Sequence, residues 1–320
     1  MKPLVWITRQ LPEESISPLR EIAEVKMWSS ADQPMPAEEL KQAAGEADAM
    51  WVMISDQITR EVIEVAPKLK IIANLAVGYN NIDIKAAKEK GVIVTNTPDV
   101  LTGTTADLAF ALMLATARRI PEAEREVRNG KWTGWSVNQL TGMDIHGATL
   151  GVVGMGRIGE AVARRGMGFD MRILYHNRTR KPEAEEKYGF EYAELDTLLK
   201  ESDFVVLLTP LTPETKGLIG KSEIALMKNS AILINVARGG VVDEQALYEA
   251  LLNKEIWAAG LDVFETEPVP TDHPLLTLPN VVVLPHIGSA SIRTRNNMMA
   301  KNTESIAACL QGKEIKNPVK

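Results

Sequence analysis

The chain holds a single cysteine, Cys309, among 320 residues. No intrachain disulfide and no cysteine metal cluster can be built from it. Histidine is nearly as scarce, with only His146, His176, His273 and His286. None of them sits in a dense set of ligands, so no metal is expected. Apolar runs stay short of the roughly 18 residues that a membrane helix requires, so no membrane partner is expected. The opening MKPLVWITRQLPEE has neither the apolar core nor the small-residue cleavage site of a signal peptide, which points to the cytoplasm. Positive charge is in deficit: 36 Lys and Arg stand against 42 Asp and Glu, a net charge of −6. That balance argues against a nucleic-acid surface. A hydrophobic fraction of 45% and a charged fraction of 24% are those of a globular protein, and the length suits two domains.

The richest stretch is GVVGMGRIGE, residues 151–160. A short apolar run leads into Gly154, Gly156 and Gly159, a helix-like segment follows, and a second apolar run comes at 171–175. Strand, glycine turn, helix and strand form the context in which GxGxxG signals dinucleotide binding. Gly154 permits the tight turn, Gly156 lets a pyrophosphate approach the backbone, and Gly159 lets helix and strand pack closely. The helix N-terminus then offers N–H groups to phosphate.

The second strand would ordinarily end in an acid that binds a ribose 2′-OH. Here it runs into Asn177, Arg178, Thr179, Arg180 and Lys181, and the nearest acid downstream is Glu183. Guanidinium groups pair with a 2′-phosphate that a carboxylate would repel. The expectation is therefore NADP(H) in preference to NAD(H). The competing reading is a solvated basic loop.

Strand-like and helix-like runs alternate through 1–98 and again from 148 onward, the pattern of parallel sheets covered on both faces. The second region shows six strands, at 149–153, 171–175, 204–208, 231–236, 258–263 and 281–284. Between the two lies a long apolar helix, Thr102–Ala117, and then an irregular segment from 122 to 146 carrying Trp132 and Trp135. That segment reads as an arm. Its tryptophans belong either to an interface or to packing on their own subunit. The final helical pattern, Ile292–Leu310, is too short for a domain and is expected to return to the first. The expected architecture is α/β: two doubly wound parallel-sheet domains with a cleft between them. A flavodoxin-like substrate domain covers 1–100 and 288–320, and a Rossmann cofactor domain covers 101–287 with 120–147 as its arm.

Three strands of the second region end suggestively, in Arg238, in Glu267 and in His286. In open α/β sheets ligands bind beyond the carboxyl ends of the strands. An arginine can bind a carboxylate and polarise a keto oxygen. A histidine can give the developing alkoxide its proton, and a carboxylate beside it fixes its tautomer and favours its charged form. That set suits hydride transfer to a 2-keto acid. Each residue also has a purely structural reading.

The strings NVARGGVVDEQAL, GLDVFETEP and LPHIGSA resemble the three signatures of the D-isomer-specific 2-hydroxyacid dehydrogenases. GMGRIG is similar to that family's cofactor turn. AVGYNNID, NTPDVLTGTTADLAFALMLA and WTGW resemble its first domain, hinge helix and arm. Within the family, the resemblance runs to NADPH-linked glyoxylate/hydroxypyruvate and 2-ketogluconate reductases. It implies Arg238, Glu267 and His286 as the catalytic residues and amides at Val77 and Gly78 for the substrate carboxylate. It implies cofactor contacts at Thr105, Arg157, Ile158, Thr209, Ala237, Asp262 and Gly288, and a homodimer formed through the arm. Met53, at a strand end, is expected to line the substrate pocket with Ile54 and Ser55. The rival from another class is a dinucleotide-sensing scaffold resembling the corepressors built on this fold. It keeps the same triad, and the absence of long disordered extensions weighs against it.

Overall fold

A computed structural model describes residues 2–319. The chain divides into two compact units, Met1–Leu101 with Ala290–Lys320, and Thr102–Ser289.

Unit 1 carries strands β1 (Leu4–Ile7), β2 (Glu24–Met27), β3 (Ala49–Val52), β4 (Ile71–Asn74) and β5 (Ile93–Thr95). They form one parallel sheet in the order β2-β1-β3-β4-β5. Helices α1 (Glu13–Ile22), α2 (Ala37–Glu46), α3 (Arg60–Glu64) and α4 (Ile84–Glu89) make the crossovers. Side chains alternate across each strand. Thus Met50 and Val52 enter one buried cluster, while Ala49 and Trp51 enter another on the opposite face. The last helix of the chain, α12 (Ile292–Leu310), closes the second face with Met299 and Ile306. Its Thr303 hydroxyl donates to the Ser15 carbonyl at 2.7 Å, and Asn302 Nδ2 donates to the Ala73 carbonyl at 3.2 Å.

Unit 2 opens with α5 (Thr102–Ala117) and α6 (Ile120–Arg128). Its strands are β6 (Thr149–Val153), β7 (Arg172–His176), β8 (Glu191–Tyr192), β9 (Phe204–Leu207), β10 (Ile232–Asn235), β11 (Ala258–Leu261) and β12 (Val281–Val283). Helices α7 (Arg157–Met167), α8 (Pro182–Tyr188), α9 (Leu195–Glu201), α10 (Lys221–Ile224) and α11 (Glu244–Leu252) lie between them. The sheet order is β12-β11-β10-β9-β6-β7-β8, with every pair parallel. This is the doubly wound dinucleotide order with one strand added. Both faces are buried: Leu150, Val152, Phe204 and Val206 point to one core, Val153, Val205 and Leu207 to the other. Burying each such side chain contributes about 1.5–3 kcal/mol.

Two expectations need correction. The sheet has seven strands rather than six, because β8 is only two residues long and shows no period. The segment after α5 is not irregular from its start. Pro121 sits in the first turn of α6, and Arg119 before it turns the chain at φ 53°. No residue of α6 is buried. Val127, Trp132, Trp135 and Val137 are exposed, Trp135 by 81%.

Candidate active site

The glycine turn lies where the sheet order reverses, between β6 and β9. Gly154 adopts φ 103°, open only to glycine, and a Cβ there would stand 2.8 Å from Leu208 C and Thr209 N. The strand tips of β6 and β9 therefore touch through backbone. A Cβ on Gly159 would lie 2.1 Å from the Gly154 carbonyl oxygen, so α7 packs on the turn only because that position has none. Above Gly156, by contrast, a Cβ would meet nothing within 4 Å. Backbone is thus bare on the side a pyrophosphate approaches.

Helices α4, α11 and α12 begin with the capping side chains of Asp83, Asp243 and Ser291. No side chain caps α7, which begins after Gly156. Thr209 Oγ1, beside the turn, is buried without a hydrogen-bond partner among the described residues. An unanswered buried hydroxyl is costly unless a ligand or water satisfies it. The cradle therefore fits a dinucleotide. We expect Gly159→Ala to drive α7 off the turn, weaken nucleotide binding at least about tenfold and cost about 1–3 kcal/mol of stability. Nucleotide titration and thermal melting would check this, and wild-type behaviour in both would contradict the packing argument.

At the second strand tip, Asn177 Oδ1 accepts from Met155 N at 3.2 Å, and its Nδ2 donates to the Thr179 carbonyl at 2.6 Å. Asn177 thereby ties the basic loop to the glycine turn. Arg178 and Thr179 are exposed. Arg180 is not an open cation: it forms a two-pronged pair with Glu185 at 2.7 and 2.6 Å.

Three further strand tips converge on the same carboxyl edge. After β10, Asn235 accepts from Ala237 N at 3.0 Å and donates to the Arg238 carbonyl at 2.9 Å, bracing the turn that carries Arg238. Arg238 Nη1 donates to the Ala237 carbonyl at 2.6 Å. Burial pushes the guanidinium pKa down, against the opposing pull of Glu267. Gly239 lies flat on the next loop, where a Cβ would come within 1.8 Å of Phe264 C and 2.1 Å of Glu265 N. Only glycine after Arg238 lets the β10 turn reach the loop that carries Glu267.

Glu267 Oε1 accepts from Phe264 N at 3.0 Å, and Oε2 meets His286 Nδ1 at 2.6 Å. Burial alone would raise the Glu267 carboxyl pKa. The bond and charge of His286, the Phe264 N–H and the charge of Arg238 outweigh it and hold the group below its usual range. With Nδ1 committed to the carboxylate, Nε2 is the ring nitrogen left to face a substrate. Side-chain exposures of 28% for His286 and 35% for Glu267 leave the pair accessible.

His286 sits at φ 54°, an uncommon conformation for a residue with a Cβ. Its own N–H donates to the Asp262 carbonyl at 2.9 Å. The Asp262 carboxylate accepts from Ile287 N at 2.7 Å and Gly288 N at 2.8 Å. Three bonds from one buried aspartate thus over-determine the turn. Burial lifts the Asp262 carboxyl pKa, against those N–H groups and the charge of His286. Gly288 also lies against Thr105 of α5, whose Cγ2 would be 3.4 Å from an added Cβ.

The sequence reading gave Asp262 to the cofactor; in the structure each of its carboxylate oxygens accepts one backbone N–H of the His286 turn. Ile158 packs partly into the core, Ala237 and Thr105 are buried, and Arg157 opens α7 at the surface. Two supporting residues escaped that reading. Asn235 is a buried amide closing an apolar strand, which was a legible signal. Glu244 accepts from Glu265 N at 2.6 Å and pairs with His273 Nε2 at 3.1 Å, a contact across the fold with no local trace. In unit 1, Asn96 Nδ2 donates to the Val77 carbonyl at 2.7 Å and Asn74 Nδ2 to the Gly78 carbonyl at 2.9 Å. Met53 N donates to Asp56 Oδ2 at 2.7 Å.

A dinucleotide cradle and an Arg–Glu–His set on one sheet edge define the chain as an NAD(P)-dependent oxidoreductase. Comparison with known proteins agrees. Residues 110–288 match the model of the D-isomer specific 2-hydroxyacid dehydrogenase NAD binding domain. A glyoxylate reductase of Korarchaeum cryptofilum is 50% identical over 313 residues, 98% of this chain and 94% of that protein. One from Thermococcus litoralis is 51% identical over 316 residues, 98% and 95% of the two chains. Among solved structures, an NADPH-dependent glyoxylate/hydroxypyruvate reductase of Sinorhizobium meliloti, in complex with NADP and malonate, superposes with a TM-score of 0.88 at 35% identity. That superposition covers 100% of this chain and 97% of the other. The chain belongs to the D-isomer specific 2-hydroxyacid dehydrogenase family, whose reaction here is the reduction of 2-keto acids. Among the described residues, no helix is long and apolar enough to cross a membrane.

Proposed function

We propose that the protein reduces small 2-keto acids, with glyoxylate, hydroxypyruvate and 2-ketogluconate as candidates, to D-2-hydroxy acids with NADPH. The observation that carries this reading is the 2.6 Å contact between His286 Nδ1 and Glu267 Oε2, beside the turn of Arg238. When bound, the nicotinamide supplies the hydride. Arg238 binds the substrate carboxylate and polarises the keto oxygen. His286 gives its Nε2 proton to the developing alkoxide. Val77 and Gly78 offer amides to the substrate carboxylate, a reading supported by the two asparagines that hold their carbonyls. Met53 borders the substrate side chain. Gly154, Gly156, Arg157, Ile158 and Gly159 take the pyrophosphate side of the cofactor, with Thr105, Thr209, Ala237 and Gly288 along its length. Asn177, Arg178 and Thr179 receive the 2′-phosphate. Exposed Trp132 and Trp135 support a homodimer through the 120–147 arm, which light scattering would test.

Initial rates with each keto acid, run in parallel with NADPH and NADH, test the assignment. Turnover favouring NADPH, with D-glycerate formed from hydroxypyruvate, is expected. L-glycerate or an NADH preference would overturn the corresponding part.

Reduction consumes a proton, so its rate is expected to fall as pH rises. On the acid side Glu267 is held below the ordinary glutamate value of about 4.3. A depressed carboxyl contributes stability above its unfolded pKa and loses it as pH falls through the folded one. The His286–Glu267 pair should therefore survive into mild acid. A rate profile flat into alkaline pH would remove the imidazole as donor.

A further inference from the structure

The basic loop after β7 is expected from sequence to present several cations to a 2′-phosphate, yet one of them is already answered. Arg180 donates from Nε and Nη2 to the two oxygens of Glu185 at 2.7 and 2.6 Å. Glu185 lies on α8, which turns back toward the β7 tip. Its Oε1 also accepts from the Tyr175 hydroxyl at 2.5 Å, and that hydroxyl accepts from Lys181 N at 2.7 Å. The guanidinium stands 5.7 Å over the Tyr192 ring. Strand β7, the basic loop, α8 and β8 are thus knotted around one carboxylate. The Glu185 side chain is only 17% exposed, while that of Arg180 is 62% exposed. Hydrogen bonds from Arg180 and Tyr175 hold the Glu185 carboxyl at about 2, so it is ionised across the working pH range.

We propose that Glu185 sets the limit on cofactor discrimination: by neutralising Arg180 at the β7 tip, it weakens binding of 2′-phosphorylated nucleotides relative to unphosphorylated ones. This rests on the reading that the adenosine ribose lies at that tip, the place where this sheet order receives it. A 2′-phosphate carries nearly two negative charges. It faces an ion pair of zero net charge, in which the Glu185 carboxylate offsets the Arg180 guanidinium. Glu185 also orients the guanidinium, which favours phosphate, but that effect concerns one side chain, whereas the repulsion acts on both phosphate charges. Arg178 and Lys181, both exposed in the same run, are the other cations within reach of the tip.

The test titrates the full chain with 2′,5′-ADP and with 5′-AMP and takes the ratio of the two Kd values, so that any loss of folded protein cancels. Glu185→Gln keeps an acceptor oxygen for Arg180 but removes the charge, and should shift the ratio toward 2′,5′-ADP by about tenfold. Glu185→Asp keeps the charge and should stay within about twofold of wild type. An unchanged ratio in Glu185→Gln, or a shift toward 5′-AMP, would overturn the proposal. A wild-type protein that favours 5′-AMP would instead defeat the NADPH reading, while the shift between wild type and Glu185→Gln would still decide the role of Glu185.

Discussion

Replacing His286 with alanine is expected to lower kcat by about 10²–10⁴-fold, the usual worth of a positioned general acid. Nucleotide affinity should hardly move. The imidazole is held by Glu267 at 2.6 Å, and its turn is held by three bonds to Asp262. The backbone bonds do not depend on the side chain, so the turn should persist in the variant. The His286 φ of 54° is held by those same backbone bonds. Alanine tolerates that φ no better than histidine, so a thermal melt close to wild type would show that lost rate is lost chemistry. If turnover survives the substitution, His286 is not the proton donor.

Replacing Arg238 with lysine is the second large effect, expected to lower kcat/KM by about 10²–10³-fold. The charge is kept and the planar fork is lost. In the protein the guanidinium spends one arm on the Ala237 carbonyl at 2.6 Å. A lysine ammonium cannot make that bond and also grip a carboxylate side-on. KM for the keto acid should rise and kcat fall together if, as proposed, the same group binds the carboxylate and polarises the oxygen. The loss is one of geometry rather than of charge, so raising salt should not restore it. Steady-state kinetics that match wild type would show that the carboxylate is bound elsewhere.

Much of this site was readable in the chain, for definable reasons. The glycine turn is local: Gly154, Gly156 and Gly159 each answer a different steric demand within six residues, and apolar runs flank them. Arg238, Glu267 and His286 are readable because each follows an apolar strand, and parallel strands bring their carboxyl ends to one edge. Apart from Asn235, the supports were not readable. The bonds from Asp262 to Ile287 and Gly288 span about 25 residues, and that from Glu265 N to Glu244 spans 21. No periodicity records such contacts. Strand β8 is too short to show alternation. Helix α6 buries nothing, so it leaves no apolar stripe to read. The Arg180–Glu185 pair was missed because a helix must fold back before an acid outside the strand tip can reach a base within it.

The central claim is that this Arg–Glu–His edge turns over a 2-keto acid with a reduced nicotinamide dinucleotide. Its most direct test is a stoichiometric assay of the purified protein with NADPH and glyoxylate, following cofactor absorbance and glycolate together. The account predicts one glycolate for each NADPH consumed, with both signals lost in His286→Ala. Tight cofactor binding without turnover of glyoxylate or any other keto acid would contradict it, and would make the protein a dinucleotide-sensing scaffold instead.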